Sequence, residues 1–107
     1  MCGRSCSVEL AKNEMGCVSL CKGCKRYSVT YTNTSFCFDK EELLKFKEAL
    51  LNFREEDFCY NIMGQSRAIL QSQYMNMGFL VSRYDIQTLN ELLNEALVMS
   101  KVHELLT

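Results

Sequence analysis

The sequence has little of several residue types on which common enzyme sites depend. It contains one histidine, His103, five glycines and no proline among 107 residues. It has no glycine-rich phosphate-binding loop and no Gly-x-Ser-x-Gly motif. A catalytic histidine needs an orienting carboxylate and a nucleophile across a cleft, and the spacing around His103 supplies neither. The sequence therefore predicts no catalytic residue.

Long apolar runs are also missing. No run approaches the ~20 residues that would span a bilayer, and no apolar signal-peptide stretch follows Arg4. We therefore expect a cytoplasmic protein with no membrane association. Hydrophobic residues make up 48% and charged residues 23%, which is ordinary for a globular protein. The length predicts one domain over residues 1–107.

Cysteine is abundant, and five of the seven cysteines fall within the first 24 residues: Cys2, Cys6, Cys17, Cys21 and Cys24. An odd total in a chain without an export signal favours thiols or metal over a disulfide framework. Two pairs of thiolates are what a tetrahedral structural Zn²⁺ site requires. The sequence predicts such a site from Cys2, Cys6, Cys21 and Cys24, with 14 residues between the pairs. Cys17 is the alternative fourth ligand.

Two other interpretations of the cysteines stay open. Cys21 and Cys24 form a Cys-x2-Cys motif, which in redox proteins lies at a helix N-terminus that lowers the thiol pKa. Here a strand pattern beginning at Tyr27 follows the motif, in place of a helix. We therefore favour structural zinc, and a thiol-dependent redox protein that uses Cys21 and Cys24 is the alternative. The plainer interpretation is a set of unmetallated thiols near the chain terminus. Outside the cluster, Cys37 and Cys59 are predicted to be small buried apolar groups.

Charge is uneven along the chain. Residues 1–40 carry a net charge of +3 and residues 41–107 a net charge of −4. Lys22, Lys25 and Arg26 surround the Cys-x2-Cys motif. Three basic residues in a nearly neutral chain are a weak signal for phosphate binding, so we expect a protein partner and no nucleic acid. The acidic run over residues 55–57 predicts a solvated connector.

The chain repeats itself weakly at a spacing of 43 residues. The repeat aligns Tyr31 with Tyr74, Asn33 with Asn76 and a further pair of identical residues, Phe36 and Phe79. The pattern predicts two strands and a helix in each half, over residues 27–53 and 67–106. Residues 54–66 are the predicted connector, and residues 1–26 are the predicted cysteine-rich knuckle segment. The expected fold is α+β with two layers: an antiparallel four-stranded sheet from a duplicated ββα unit, and both helices on one face.

Residues within each half carry this prediction. Tyr27, Val29 and Tyr31 alternate with polar residues at the period of a half-buried strand. A tight turn follows, and we expect Asn33 to adopt the left-handed conformation that such a turn requires. Asp39 with Glu42, and Ser82 with Asp85, have the spacing of helix capping boxes. The apolar stripes of the helices are Leu43, Phe46, Leu50 and Phe53 in the first, and Ile86, Leu89, Leu93, Ala96 and Leu97 in the second.

The order of these residues resembles a small bacterial domain family of unknown function with an N-terminal cysteine cluster. The residues that carry the resemblance are Cys6, Gly16, Val18, Cys21, Cys24, Phe36, Phe38, Arg67, Gln71, Phe79, Leu89, Leu92, Leu93 and Ala96. The resemblance implies a small cytoplasmic protein with a cysteine pair before a hairpin and no assigned activity. It also implies a histidine two residues after the first cysteine of the pattern, where this chain has Val8. Cys2 or Cys17 would then supply the missing ligand.

Overall fold

A computed structural model describes residues 7–62, 64–71 and 78–106 of the chain. In these ranges seven strands form two antiparallel sheets, and two α-helices complete an α+β fold, which confirms the predicted class. The strands are β1 (Ser7–Lys12), β2 (Gly16–Cys21), β3 (Tyr27–Tyr31), β4 (Thr34–Phe38), β5 (Tyr60–Ile62), β6 (Gln65–Gln71) and β7 (Gly78–Val81). The helices are α1 (Lys40–Leu51) and α2 (Arg83–Leu106), with a 3₁₀ turn at Glu55–Asp57.

The first sheet has four strands in the order β1-β2-β3-β4, all from residues 7–38. The predicted alternation is confirmed in β3, where Tyr27, Val29 and Tyr31 are buried. The tight turn after β3 differs from the prediction, because Thr32 and not Asn33 takes the left-handed conformation, at φ 53°. The N–H of Thr32 donates to the carbonyl oxygen of Met15 at 2.7 Å, which ties this turn to the β1–β2 connection.

The prediction of one sheet shared by two duplicated halves is wrong. Residues 7–21, assigned to the knuckle segment, form the hairpin β1–β2, in which Leu10 and Val18 are buried. Asn13 closes this hairpin, since its side-chain oxygen accepts the N–H groups of Met15 and Gly16, each at 2.9 Å. The cysteines favoured a metal-binding segment, and a register shift in β1 interrupts its alternation, so two strands were missed. The four-stranded sheet is complete before α1 begins.

The second half of the chain forms a separate sheet of three strands, β5-β6-β7. Strand β5 lies within residues 54–66, the predicted connector, and adds to this sheet a strand that neither predicted half contains. Tyr74 and Asn76, which the repeat aligns with Tyr31 and Asn33, lie outside the described residues. The sheets therefore do not form a clear duplicated unit.

Both helices begin at the predicted capping boxes. The Asp39 carboxylate accepts the N–H of Glu42 at 2.8 Å, and Glu42 accepts the N–H of Asp39 at 3.0 Å. In α2 the hydroxyl of Ser82 accepts the N–H of Asp85 at 3.1 Å, and Asp85 accepts the N–H of Ser82 at 2.9 Å. Each cap satisfies N–H groups that a helix start leaves without intrahelical partners, so short local motifs determine where the helices start.

Helix α2 supplies much of the core. It packs on β1 and β2, and α1 packs on α2 and β4. The predicted stripe is confirmed at Leu89, Leu93 and Ala96, which are buried. One buried polar contact crosses this layer, between the hydroxyls of Tyr27 and Ser100 at 2.7 Å. Within the described part of the chain, neither helix is apolar over a length that would cross a membrane.

Candidate functional site

The Cys-x2-Cys motif occupies the turn between β2 and β3. Cys21 is the last residue of β2 and is half-buried, whereas Cys24 is exposed in the turn. The N–H of Cys21 donates to the carbonyl oxygen of Arg26 at 2.9 Å, and the N–H of Lys25 donates to the carbonyl oxygen of Cys21 at 2.7 Å. Lys25 has φ 56°, a left-handed conformation that costs a residue with a side chain roughly 1 kcal/mol. The turn is therefore tight and carries backbone strain directly after its second cysteine.

The other predicted zinc ligands lie beyond the described ranges. These ligands are Cys2 and Cys6, which belong to residues 1–6. Strand β1 begins at Ser7, which follows Cys6 in sequence and pairs with Cys21 across the sheet. Among residues 7–62, 64–71 and 78–106, no three His, Cys, Asp or Glu side chains form a group that could hold a metal ion.

Strand β2 separates Cys17 from the turn. Cys17 pairs with Lys12 and Thr30, at the opposite end of the strand from Cys21. Four residues of strand at about 3.3 Å each separate the Cα atoms of Cys17 and Cys21 by about 13 Å. Two sulfurs on one zinc lie at most about 4.6 Å apart, because each Zn–S bond is about 2.3 Å long. The structure thus does not bring Cys17 to the Cys-x2-Cys turn.

The two cysteines outside the cluster are not buried, contrary to prediction. Cys37 and Cys59 are both exposed. In β4 the core-facing positions are Phe36 and Phe38, so Cys37 between them points to the other face of the sheet. Cys59 precedes β5 and faces a shallow pocket beside Glu56 and Asp57. Small size favoured burial of both cysteines in the sequence, but strand phase decided the exposure of Cys37, and Cys59 lies outside the strands.

The acidic run is part of a connection to α2. Glu55 begins the 3₁₀ turn and forms an ion pair with Arg83, whose guanidinium also lies 4.4 Å from the centre of the Phe58 ring. Hydrogen bonding to Arg83, followed by its charge, lowers the pKa of the Glu55 carboxyl. Glu55 is therefore a structural partner of α2 rather than only a solvated residue.

The sequence did not indicate a cleft that lies where the two sheets meet the start of α2. Its volume is about 540 Å³. One side is formed by the β3–β4 hairpin and the other by β6, β7 and the first turns of α2. Phe36 from β4 and Phe79 from β7 touch across the junction, with ring centres 5.0 Å apart in an edge-to-face arrangement.

Asp85 links three elements at this cleft. It accepts the hydroxyl of Tyr31 at 2.8 Å and, through its other oxygen, the N–H of Ser82 at 2.9 Å. The guanidinium of Arg67 lies 3.7 Å from the same carboxylate. Burial, then the hydrogen bond to Asp85, raise the pKa of the Tyr31 phenol, so it stays protonated and continues to donate. The carboxylate thereby joins β3, β6 and α2.

Sequence reasoning identified Asp85 only as a helix cap. Tyr31 and Asp85 are 54 positions apart, and no local motif connects them. The one signal in the sequence was the presence of a tyrosine in a predicted buried strand and of a carboxylate at a predicted helix cap. Both features are too common to predict that the two side chains touch. The cleft was therefore not predictable from the sequence.

The whole chain, residues 1–107, matches the family of unknown function DUF6686. The chain belongs to that family. Searches of the curated proteins and of the solved structures find no match.

Proposed function

We propose that the protein is a small zinc-binding structural or interaction module whose partner is another protein. The observation that carries this proposal is the tight β2–β3 turn holding Cys21 and Cys24, with Ser7 paired to Cys21. Cys6 is joined to Ser7 by one peptide bond. The pairing of Ser7 with Cys21 supports a site in which Cys6 joins the turn cysteines, and the ligand set we propose is Cys2, Cys6, Cys21 and Cys24.

Strand spacing favours Cys2 over Cys17 as the fourth ligand. Cys17 lies about 13 Å along the strand from Cys21, too far for a shared zinc ion. Cys2 is separated from Cys6 by three residues, so the two form the second pair of thiols in the sequence. The strained φ of Lys25 also fits a site, since backbone strain persists where surrounding structure enforces it.

The redox alternative lacks a specific structural feature. Cys21 and Cys24 lie between two strands, and α1, the next helix, begins only at Lys40. The helix N-terminus that lowers thiol pKa in redox Cys-x2-Cys motifs is therefore not at this turn. Structural zinc requires no such helix, because its ligands serve to fix the chain.

A protein partner fits the surface better than a nucleic acid. Arg26, one of three basic residues at the turn, is paired with Glu42 at 3.8 Å. Val98, Val102 and Leu105 lie on one side of α2 and are exposed, and apolar surface of this kind is what protein interfaces cover. A labelled oligonucleotide tested by fluorescence anisotropy at low salt should not bind. Binding that weakens steeply with added salt would contradict this part of the proposal.

Elemental analysis of the purified full-length chain tests the zinc site. We expect one equivalent of zinc, reduced by Cys21→Ser and by Cys24→Ser and unchanged by the matched control Cys59→Ser. Cys2→Ser should also reduce it, whereas Cys17→Ser should not. A metal-free protein whose Cys21 and Cys24 titrate as a reversible dithiol would support the redox alternative instead.

A further inference from the structure

The cleft between the two sheets has the size and construction of a small-molecule site. Its volume of about 540 Å³ lies within the range of known ligand pockets. Such pockets are mostly apolar with a few convergent polar groups. Here Phe36, Phe79 and Leu89 contribute apolar surface, and Arg67 and Asp85 contribute charge.

Arg67 has more hydrogen-bond donors than the described part of the chain uses. A guanidinium carries five N–H donors, and the one hydrogen bond shown goes to the side-chain oxygen of Gln65 at 3.0 Å. The Asp85 carboxylate, at 3.7 Å, is an ion-pair partner beyond hydrogen-bond distance. The Nε atom of Arg67 is buried with no acceptor among the described residues. Because this Nε is shielded, an added acceptor would bind the terminal N–H groups of the guanidinium, whose side chain is 29% exposed.

The ion pair with Asp85 does not occupy all the hydrogen-bond donors of Arg67. Its oxygens already accept the Tyr31 hydroxyl and the Ser82 N–H. It also lies in the first turn of α2, where the helix dipole stabilises a negative charge. The carboxylate is thus held by neutral donors, and the fork of Arg67 remains available to a second anion.

Backbone strain marks the same cleft. Thr32, which lines it, has φ 53°, and this conformation is uncommon for a β-branched residue. Strained residues cluster at ligand sites, where the surrounding structure holds them in place. The strained turn and the unused donors therefore border one cleft, which has both apolar and polar lining residues.

We infer that this cleft binds a small organic carboxylate with an apolar body. The guanidinium of Arg67 holds the carboxylate through two parallel N–H donors, a geometry that arginine provides and lysine does not. The apolar body lies against the Phe36 and Phe79 rings, which meet at the junction of the sheets. The ligand thereby bridges the two sheets.

Titration of isotope-labelled full-length protein with 3-phenylpropionate, followed by NMR, tests this inference. We expect saturable shifts at amides lining the cleft, including those of Thr34, Phe79 and Val81. The neutral amide of the same acid should bind roughly ten- to a hundredfold more weakly, because it loses the charge-assisted pair. This acid-against-amide comparison uses the unaltered protein and does not depend on any variant folding.

Arg67→Gln should lower the affinity for 3-phenylpropionate roughly tenfold or more, and Arg67→Lys should restore only part of it. The matched control is Arg54→Gln, since Arg54 is exposed, pairs with Glu56 and lies away from the cleft. The Arg54→Gln variant should bind 3-phenylpropionate with the same affinity as the unaltered protein. Equal affinity for acid and amide, shifts confined to residues outside the cleft, or no saturable binding would each overturn the inference.

Discussion

Replacing Asp85 with alanine should lower the free energy of unfolding by about 3 kcal/mol. The largest part comes from Tyr31, whose side chain is 8% exposed and whose hydroxyl would lose its acceptor. Losing this part-buried hydrogen bond to a carboxylate costs about 1.5 kcal/mol. Loss of the acceptor for the Ser82 N–H costs about 1 kcal/mol. The partly exposed ion pair with Arg67 adds about 0.5 kcal/mol.

Helix α1 offers a matched control for this substitution. Glu42 holds the same place in a capping box and also forms an exposed ion pair, with Arg26. Glu42→Ala should therefore cost about 1.5 kcal/mol, about 1 kcal/mol from the cap and about 0.5 kcal/mol from the ion pair. Urea unfolding followed by far-ultraviolet circular dichroism measures both, provided that the urea dependence of the free energy is unchanged.

A double-mutant cycle isolates the contact across the sheets. Tyr31→Phe removes the hydroxyl, so Asp85→Ala in that background should cost about 1.5 kcal/mol less than in the unaltered protein. If Asp85→Ala costs no more than Glu42→Ala, or if the two changes are additive, the Tyr31 hydroxyl does not stabilise the fold through Asp85. The proposed connection between β3 and α2 would then be refuted.

Three further predictions concern titration, packing and backbone space. Because folding raises the Tyr31 pKa, unfolded chains lose this proton above about pH 10 while folded ones keep it, so stability falls with pH by up to about 1.4 kcal/mol per unit. Urea unfolding at several alkaline pH values should show a shallower fall for Tyr31→Phe, and an unchanged slope would contradict the shift. Leu93→Ala should cost about 3 kcal/mol because Leu93 is fully buried, whereas Leu51→Ala, at a 60% exposed site, should cost under about 1 kcal/mol; similar costs by urea unfolding would place Leu93 outside the core. Gly16→Ala should prevent normal pairing of β2 with β3, since a Cβ there would overlap a backbone carbonyl oxygen of β3, while Gly64→Ala meets open space and only the strain of φ 80°. Circular dichroism melting should therefore show a far larger loss for Gly16→Ala, and equal losses would argue against the β2–β3 register.

The sequence predicted features that depend on a few neighbouring residues. The alternation of Tyr27, Val29 and Tyr31 and the two helix caps follow from contacts within four positions, and these predictions were confirmed. The β1–β2 hairpin was open to the same reasoning, because Leu10 and Val18 lie within strand-like segments. It was missed because the cysteines around it suggested a metal-binding segment without regular structure.

The sequence by itself determined the class of the fold, the helix starts and the position of the Cys-x2-Cys motif beside a strand. Only the tertiary structure decided that the strands divide into sheets of four and three. It alone brought Tyr31, Arg67 and Asp85 to one cleft. The physical reason is that periodicity and capping act over one or two turns of chain, whereas strand partners and convergent side chains depend on which apolar faces pack together. Many packings satisfy the same local pattern, and the long-range contacts select one.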